Sequence, residues 1–144
     1  MPAAPVSLIA LDTNVLSELM RAAPEPRVLR WMDAQRPGCV VVTAVTVAEV
    51  LYGIARLPAG RRRNALEDAI GRTLEEDLSV LPFDEAAAVD YAAIAAMREA
   101  RGLKVPVADA MIAATCLSHR ATLATRNVRD FAGMGLDLVD PWLA

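Results

Sequence analysis

At 144 residues the chain is long enough to bury a sizeable core in one domain, residues 1–144, and short for two ordinary ones. Its 55% hydrophobic content is high, yet no apolar run reaches the ~20 residues of a membrane span, and residues 1–7 lack the basic flank and hydrophobic segment of a signal peptide, so a cytoplasmic location is expected. Fifteen basic and 18 acidic side chains give a net charge of −3, which excludes a broadly basic surface but not a local one: four acids gathered in one pocket would leave 14 against 15 bases.

The two cysteines, Cys39 and Cys116, have no metal or redox spacing and read as small core residues of a reducing compartment. Lys104 is the one lysine, so phosphate contacts fall to arginine, whose planar fork suits them.

Taken in order, residues 6–11 (Val-Ser-Leu-Ile-Ala-Leu) read as a strand and 15–21 as a short helix, broken at Pro24 and Pro26. A second helix is expected over 27–35, then a Pro37-Gly38 turn and a strand at 40–45, β-branched throughout as in a sheet covered on both faces. Helices follow at 47–57, ended by Pro58 and Gly60, and at 61–78, with a charged face. Residues 80–83 make a brief strand and 85–101 an alanine-rich helix closed by Gly102. A helix at 107–120 and strands at 122–125 and 136–139 complete the chain. This alternation with short connections predicts an α/β fold, a central parallel sheet of four to five strands flanked by helices.

Ligands of such sheets bind at the carboxyl ends of the strands, and acids collect there. Asp12 closes the first strand within Asp12-Thr13-Asn14; Glu49 follows the second; Asp109 stands in the first turn after Pro106; Asp130 comes just past Thr125-Arg126-Asn127. Each has a purely structural alternative. Thr46-Val47-Ala48-Glu49 fits a capping box, Asn127 to Asp130 has a similar spacing, Asp109 suits a helix dipole, and Asp12 suits a cap with Thr13 and Asn14. As a set, four carboxylates in apolar surroundings call for a cation. Mg²⁺ takes hard oxygen ligands, commonly one or two carboxylates with water and substrate phosphate, and lowers the pKa of a bound water. No other catalytic set is present: His119 is the one histidine, and phosphate-binding, dinucleotide and serine-nucleophile motifs are missing.

The four segments Leu8-Ile9-Ala10-Leu11-Asp12-Thr13-Asn14, Thr43-Ala44-Val45-Thr46-Val47-Ala48-Glu49, Pro106-Val107-Ala108-Asp109-Ala110-Met111-Ile112-Ala113-Ala114 and Thr125-Arg126-Asn127-Val128-Arg129-Asp130-Phe131 together resemble, in order and spacing, a PIN-domain ribonuclease of the VapC/FitB toxin type. The resemblance implies Asp12 and Asp109 as main Mg²⁺ ligands (Mn²⁺ substituting), Glu49 completing the cluster and Asp130 as the last acid. Thr13 and Asn14 would orient Asp12, and Thr125 would support the pocket floor. Many relatives carry aspartate where this chain has Asn127, a neutral residue that weakens the case for a second tightly held metal. It further implies a homodimer, RNA as substrate, a cognate antitoxin, and operator DNA reached only through that antitoxin.

Arg126 and Arg129, flanking the last acid, are the better candidates for RNA phosphate contacts; Arg61-Arg62-Arg63 reads first as a solvated helix start. Leu19 and Trp31 suit either an antitoxin surface or the core, and Tyr52 and Met111 either the core or a dimer contact. The competing function is a non-catalytic regulatory or phospho-acceptor signalling domain with an acidic pocket. It would require an acid adjacent to Asp12, where Thr13-Asn14 stand, and a late lysine, whereas Lys104 precedes Asp109 by five positions.

Overall fold

A computed structural model describes residues 7–144. Five parallel strands, β1 (Leu8–Leu11), β2 (Val40–Thr43), β3 (Ser79–Leu81), β4 (Ala121–Ala124) and β5 (Leu138–Val139), lie in the order β3-β2-β1-β4-β5. Seven helices cover them: α1 (Thr13–Leu19), α2 (Pro26–Asp33), α3 (Ala44–Ala55), α4 (Arg61–Arg72), α5 (Glu85–Ala100), α6 (Val107–Ser118) and α7 (Val128–Phe131). The expected parallel α/β sheet is therefore found, with five strands.

Side chains alternate across each strand and so divide the core in two. Ala10, Val41 and Leu123 point to a cluster with Ile94 of α5, Ile112 and Cys116 of α6 and Phe131 of α7. Their neighbours Leu11, Val40, Val42 and Ala124 point the other way, to Val15, Leu16, Val28, Val50, Ile54 and Ile70 from α1 to α4. The inner strands β1, β2 and β4 thus need apolar residues on both faces, which is why β2 begins with an unbroken Val-Val-Val run.

Several boundaries differ from expectation, by one or two residues at most ends and by more, or with a change of cap, at three places. The strand expected over 40–45 stops at Thr43, whose hydroxyl accepts the Thr46 N–H at 3.1 Å and caps α3. The N-cap is thus Thr43, not Thr46, and α3 starts three residues earlier than Val47. Residues 61–78 do not form one α-helix: α4 ends at Arg72 and a π-helical turn spans Thr73–Asp77, with the Thr73 hydroxyl donating to the Ala69 carbonyl at 2.8 Å. Such back-bonding competes with regular helix bonding. Helix α1 starts at Thr13 because Asp12 is its N-cap. Val6, read as the start of the first strand, lies outside the described residues.

Leu123 is fully buried at the centre of the sheet. Leu123→Ala is expected to lower unfolding free energy by about 2–5 kcal/mol, through lost transfer energy and the cavity left behind; urea denaturation reads this directly, and a loss under ~1 kcal/mol would show that the site collapses instead.

Candidate acidic active site

Strand order reverses at β1: the chain moves from β1 to β2 and β3 on one side, then returns through α5 and α6 to β4 on the other. The carboxyl ends of β1 and β4 flank that switch point, the usual place for a ligand in an open α/β sheet. Asp12 follows β1, Thr125 follows β4, and the Leu11–Ala124 register sets them side by side. The Asp12 N–H donates to the Ala124 carbonyl at 2.8 Å, so the residue is fixed to the neighbouring strand before its side chain is considered.

That side chain is only 5% exposed. Its Oδ1 accepts the Thr13 N–H at 2.9 Å and its Oδ2 accepts the Thr125 hydroxyl at 2.7 Å. The Thr125 oxygen in turn accepts the Asn127 N–H at 3.0 Å and the Asn14 Nδ2 at 3.3 Å, while Asn14 Oδ1 accepts the Arg126 N–H at 3.1 Å. Thr13, expected to orient Asp12, also donates its hydroxyl to Glu49 Oε1 at 2.7 Å, joining α1 to α3. Glu49 is therefore engaged with Thr13, and the capping box proposed for it with Thr46 does not form. The Asn127–Asp130 cap does not form as a side-chain pair either: α7 has no side-chain cap bond, and what joins the two is the Asp130 N–H on the Asn127 carbonyl at 3.0 Å.

Asp109, half-buried in the first turn of α6, joins the cluster through its field. Burial pushes its carboxyl up to about 6, and the negative charges of Asp12, Glu49 and Asp130 add to the rise. Asp12 is raised as well, chiefly by burial, against the lowering effect of its Thr125 and Thr13 hydrogen bonds. The four acids thus act on one another, and none forms an ion pair among the described residues. Nor does any group of three or more His, Cys, Asp or Glu side chains there form a cage able to hold a metal ion alone. The donors are hard oxygens, two of them reluctant to ionise unaided, which suits a divalent cation completing its shell with water and phosphate oxygen.

Other sequence candidates fall into place around this centre. A cavity of about 640 Å³ opens beside Thr13, Asn14 and Glu49 and reaches Arg62 and Leu66, so the middle of the Arg61–Arg63 run faces the site's approach while Arg63 pairs with Glu67 at 3.0 Å. Leu19 and Trp31 pack partly buried against the α1–α4 half of the core; Tyr52 is 66% exposed. His119 caps α6, its Nδ1 2.9 Å from the Thr115 carbonyl, and takes no part. Both cysteines are free and buried, and burial pushes the Cys116 thiol up to about 12. Arg126 lies over the Trp142 ring at 4.8 Å; Arg129 is exposed.

Two residues escaped the sequence reading. Arg98 of α5 donates Nη1 to the Ala132 carbonyl at 3.0 Å and Nη2 to the Asp130 carbonyl at 3.4 Å, gripping the segment that carries the last acid. Trp142 stacks on Arg126, and the Pro141-Trp142 pair just after the last strand was the available signal. For Arg98, the one basic residue of an alanine-rich helix, the sequence offered none.

The sequence pattern of the PIN domain family matches residues 9–135. A VapC ribonuclease, Y4jK, from Sinorhizobium fredii is 41% identical over 137 residues, covering 94% of this chain and 98% of the relative. The toxin FitB from Neisseria gonorrhoeae is 36% identical over 137 residues, covering 94% and 99%. Among solved structures, FitAB bound to the IR36 DNA fragment superposes with a TM-score of 0.82 at 37% identity, over 94% of this chain and 96% of that one.

The raised Asp109 carboxyl has a pH signature. Unfolded, the group titrates near 3.8; folded, near 6. Between those values the folded chain holds a proton that the unfolded chain releases, so stability falls as pH rises through this window and the penalty is complete above it. In EDTA, Asp109→Asn is expected to melt higher than the parent at neutral pH, with the gap closing as pH falls to about 3.8. A gap that is the same at both ends would show that ionisation is not its cause.

Proposed function

The chain belongs to the PIN-domain family, and on that premise we propose that it is a Mg²⁺-dependent endoribonuclease, the toxin of a bacterial toxin–antitoxin pair. The observation that carries the reading is the acid cluster at the switch point, without an ion pair among the described residues, with Asp12 buried and locked by Thr125 and Asp109 raised by burial and by its negative neighbours. The similarity to a VapC ribonuclease and to the toxin FitB supports RNA cleavage and toxicity.

Asp12 and Asp109 would hold the metal, with Glu49 and Asp130 completing the acidic shell. Mn²⁺ would substitute, because the donors are hard oxygens. When bound, the cation neutralises charge on the scissile phosphate and lowers the pKa of a water. The protein's own part is positional. Thr125 and the Thr13 amide hold both Asp12 oxygens, Thr13 fixes Glu49, and Asn14 ties the Asp12 turn to residue 126. Arg126 and Arg129 offer guanidinium groups to RNA phosphates, and neutral Asn127 leaves a second metal weakly held.

A cognate antitoxin as inhibitor, with operator DNA reached only through it, is supported by the likeness to FitAB on DNA. A homodimer is supported by the exposed apolar Leu51 and Tyr52 of α3 and Val107 of α6. The proposed toxin would act in the cytoplasm as one domain, where its RNA substrate is found; no helix among the described residues is long and apolar enough to cross a membrane. The phospho-acceptor reading gains nothing, since Lys104 is exposed and lines a different cavity, with Tyr91 and Arg98.

The test is cleavage of RNA by the purified chain in Mg²⁺ or Mn²⁺. EDTA should abolish it, and Asp12→Asn or Asp109→Asn should reduce it by more than ~100-fold while the fold persists by circular dichroism, because even supporting residues of metal sites are worth ~10–100-fold. Undiminished cleavage in those variants would sink the assignment. Thr125→Val should fall within that ~10–100-fold range, through loss of the hydrogen bond that orients Asp12.

A further inference from the structure

The turn after β5 is fastened from several directions. The Trp142 N–H donates to Asp140 Oδ1 at 2.9 Å, and the Leu143 and Ala144 N–H groups donate to the Asp140 carbonyl at 3.1 and 3.0 Å. From α2, Arg27 Nη1 donates to the Trp142 carbonyl at 3.2 Å. The Trp142 ring is partly buried against the α1–α4 half of the core. Over it, 4.8 Å from its centroid, lies the Arg126 guanidinium. Asp140 and Arg27 thus hold the backbone of Trp142, and its ring sits under Arg126.

Arg126 is also the residue whose N–H meets Asn14 Oδ1, at 3.1 Å, in the network that holds Asp12. Its side chain is exposed and makes no hydrogen bond or ion pair with any described residue. Cation–π attraction to an indole uses no hydrogen bond and so leaves the guanidinium N–H donors free. A planar fork with free donors, immobilised beforehand, is what bidentate phosphate binding needs, since little side-chain freedom is left to lose on binding. The acid cluster repels a polyanion, and the Arg126 backbone belongs to the network that holds Asp12, so a fixed positive charge on this segment offsets part of that repulsion.

We propose that Trp142 is a positioning residue that holds Arg126 as a phosphate fork for the RNA strand at the mouth of the acidic pocket. The inference rests on RNA being the substrate and adds the C-terminal turn to the part of the protein that grips it.

The test is binding of a short fluorescent single-stranded RNA by anisotropy at several salt concentrations, in EDTA so that nothing is cut. Arg126→Met and Trp142→Leu should each weaken binding by about tenfold, the scale of one charge-assisted hydrogen-bonded contact. Each should also flatten the dependence of log affinity on log salt by about 0.7, the share of one phosphate on a single strand. The double variant should bind no worse than Arg126→Met alone, because the ring acts through the guanidinium, and Trp142→Phe should restore most of the affinity. Additive losses, or a Trp142→Leu loss with an unchanged salt slope, would overturn the proposal. So would an RNA with abasic sites losing as much affinity on the parent protein, since the platform would then be reading bases. Thermal melting accompanies each variant; if Trp142→Leu unfolds, Arg126→Met and Trp142→Phe alone decide. Failure of the nuclease reading is distinguishable: the parent would bind RNA with the fork intact yet leave it uncut in Mg²⁺.

Discussion

The hydrogen bond from Thr125 to Asp12, 2.7 Å long and spanning 113 residues of sequence, is the constraint from which the site is built. It joins the ends of two strands that are neighbours only because the chain crosses from β3 back over to β4. Parallel pairing of Leu8 through Leu11 with Ala121 through Ala124 fixes the register, and a slip of one residue would turn every side chain of the strand to the opposite face. Such a slip would put Leu11 into the half of the core that holds α5 and α6 and remove Thr125 from Asp12. The packing that stabilises the sheet is thus the same packing that aims the central acid.

Holding the acids together works against stability. Asp12 loses water and has no cationic partner, and Asp109 feels three negative neighbours. Arrangements of this kind are retained where function needs them, and local rules of folding are commonly broken at such places. A ligand that binds only the folded state returns stability in proportion to its affinity and concentration, so a cation at this site would couple catalytic readiness to folding. On the proposed reading the negative pocket admits a polyanion, which would give the flanking arginines a role that the net charge of −3 conceals.

The features legible in the sequence were those written in short-range pattern. Alternating strand and helix periods gave the parallel sheet, and the position of each acid just past a strand or at a helix start gave the cluster. The Thr43 cap was missed because Thr46-x-x-Glu49 is the stronger-looking box. The choice between the two threonines depends on where β2 must stop to pair with β3, a tertiary fact. The π-helical turn at Thr73 was hidden for a similar reason, since its periodicity differs from that of α4 by a fraction of a turn. Arg98 was illegible as part of the site, because its partner is 34 positions away and nothing around it marks a contact. Trp142, 16 positions from Arg126, was signalled only by the Pro141-Trp142 pair.

These supports leave the four acids unequally held. Asp12 is fixed by strand register, burial and three hydrogen bonds to its carboxylate, from the Thr13 N–H, Asn14 Nδ2 and the Thr125 hydroxyl; Glu49 is fixed by a twelve-residue helix and the Thr13 hydroxyl. Asp130 rides on a helix of four residues, too short to persist unaided. What keeps it in place is Phe131, 1% exposed, packed into the core beneath it, and Arg98 reaching across from α5 to two carbonyls of its segment. Asp130 is also exposed, whereas Asp12 is not. The cluster is therefore rigid at its centre and adjustable at its edge, an order that follows from the fold. A firmly oriented carboxylate would suit the cation of the proposed reaction. A carboxylate on a short, tethered turn suits whatever must enter and leave with the substrate.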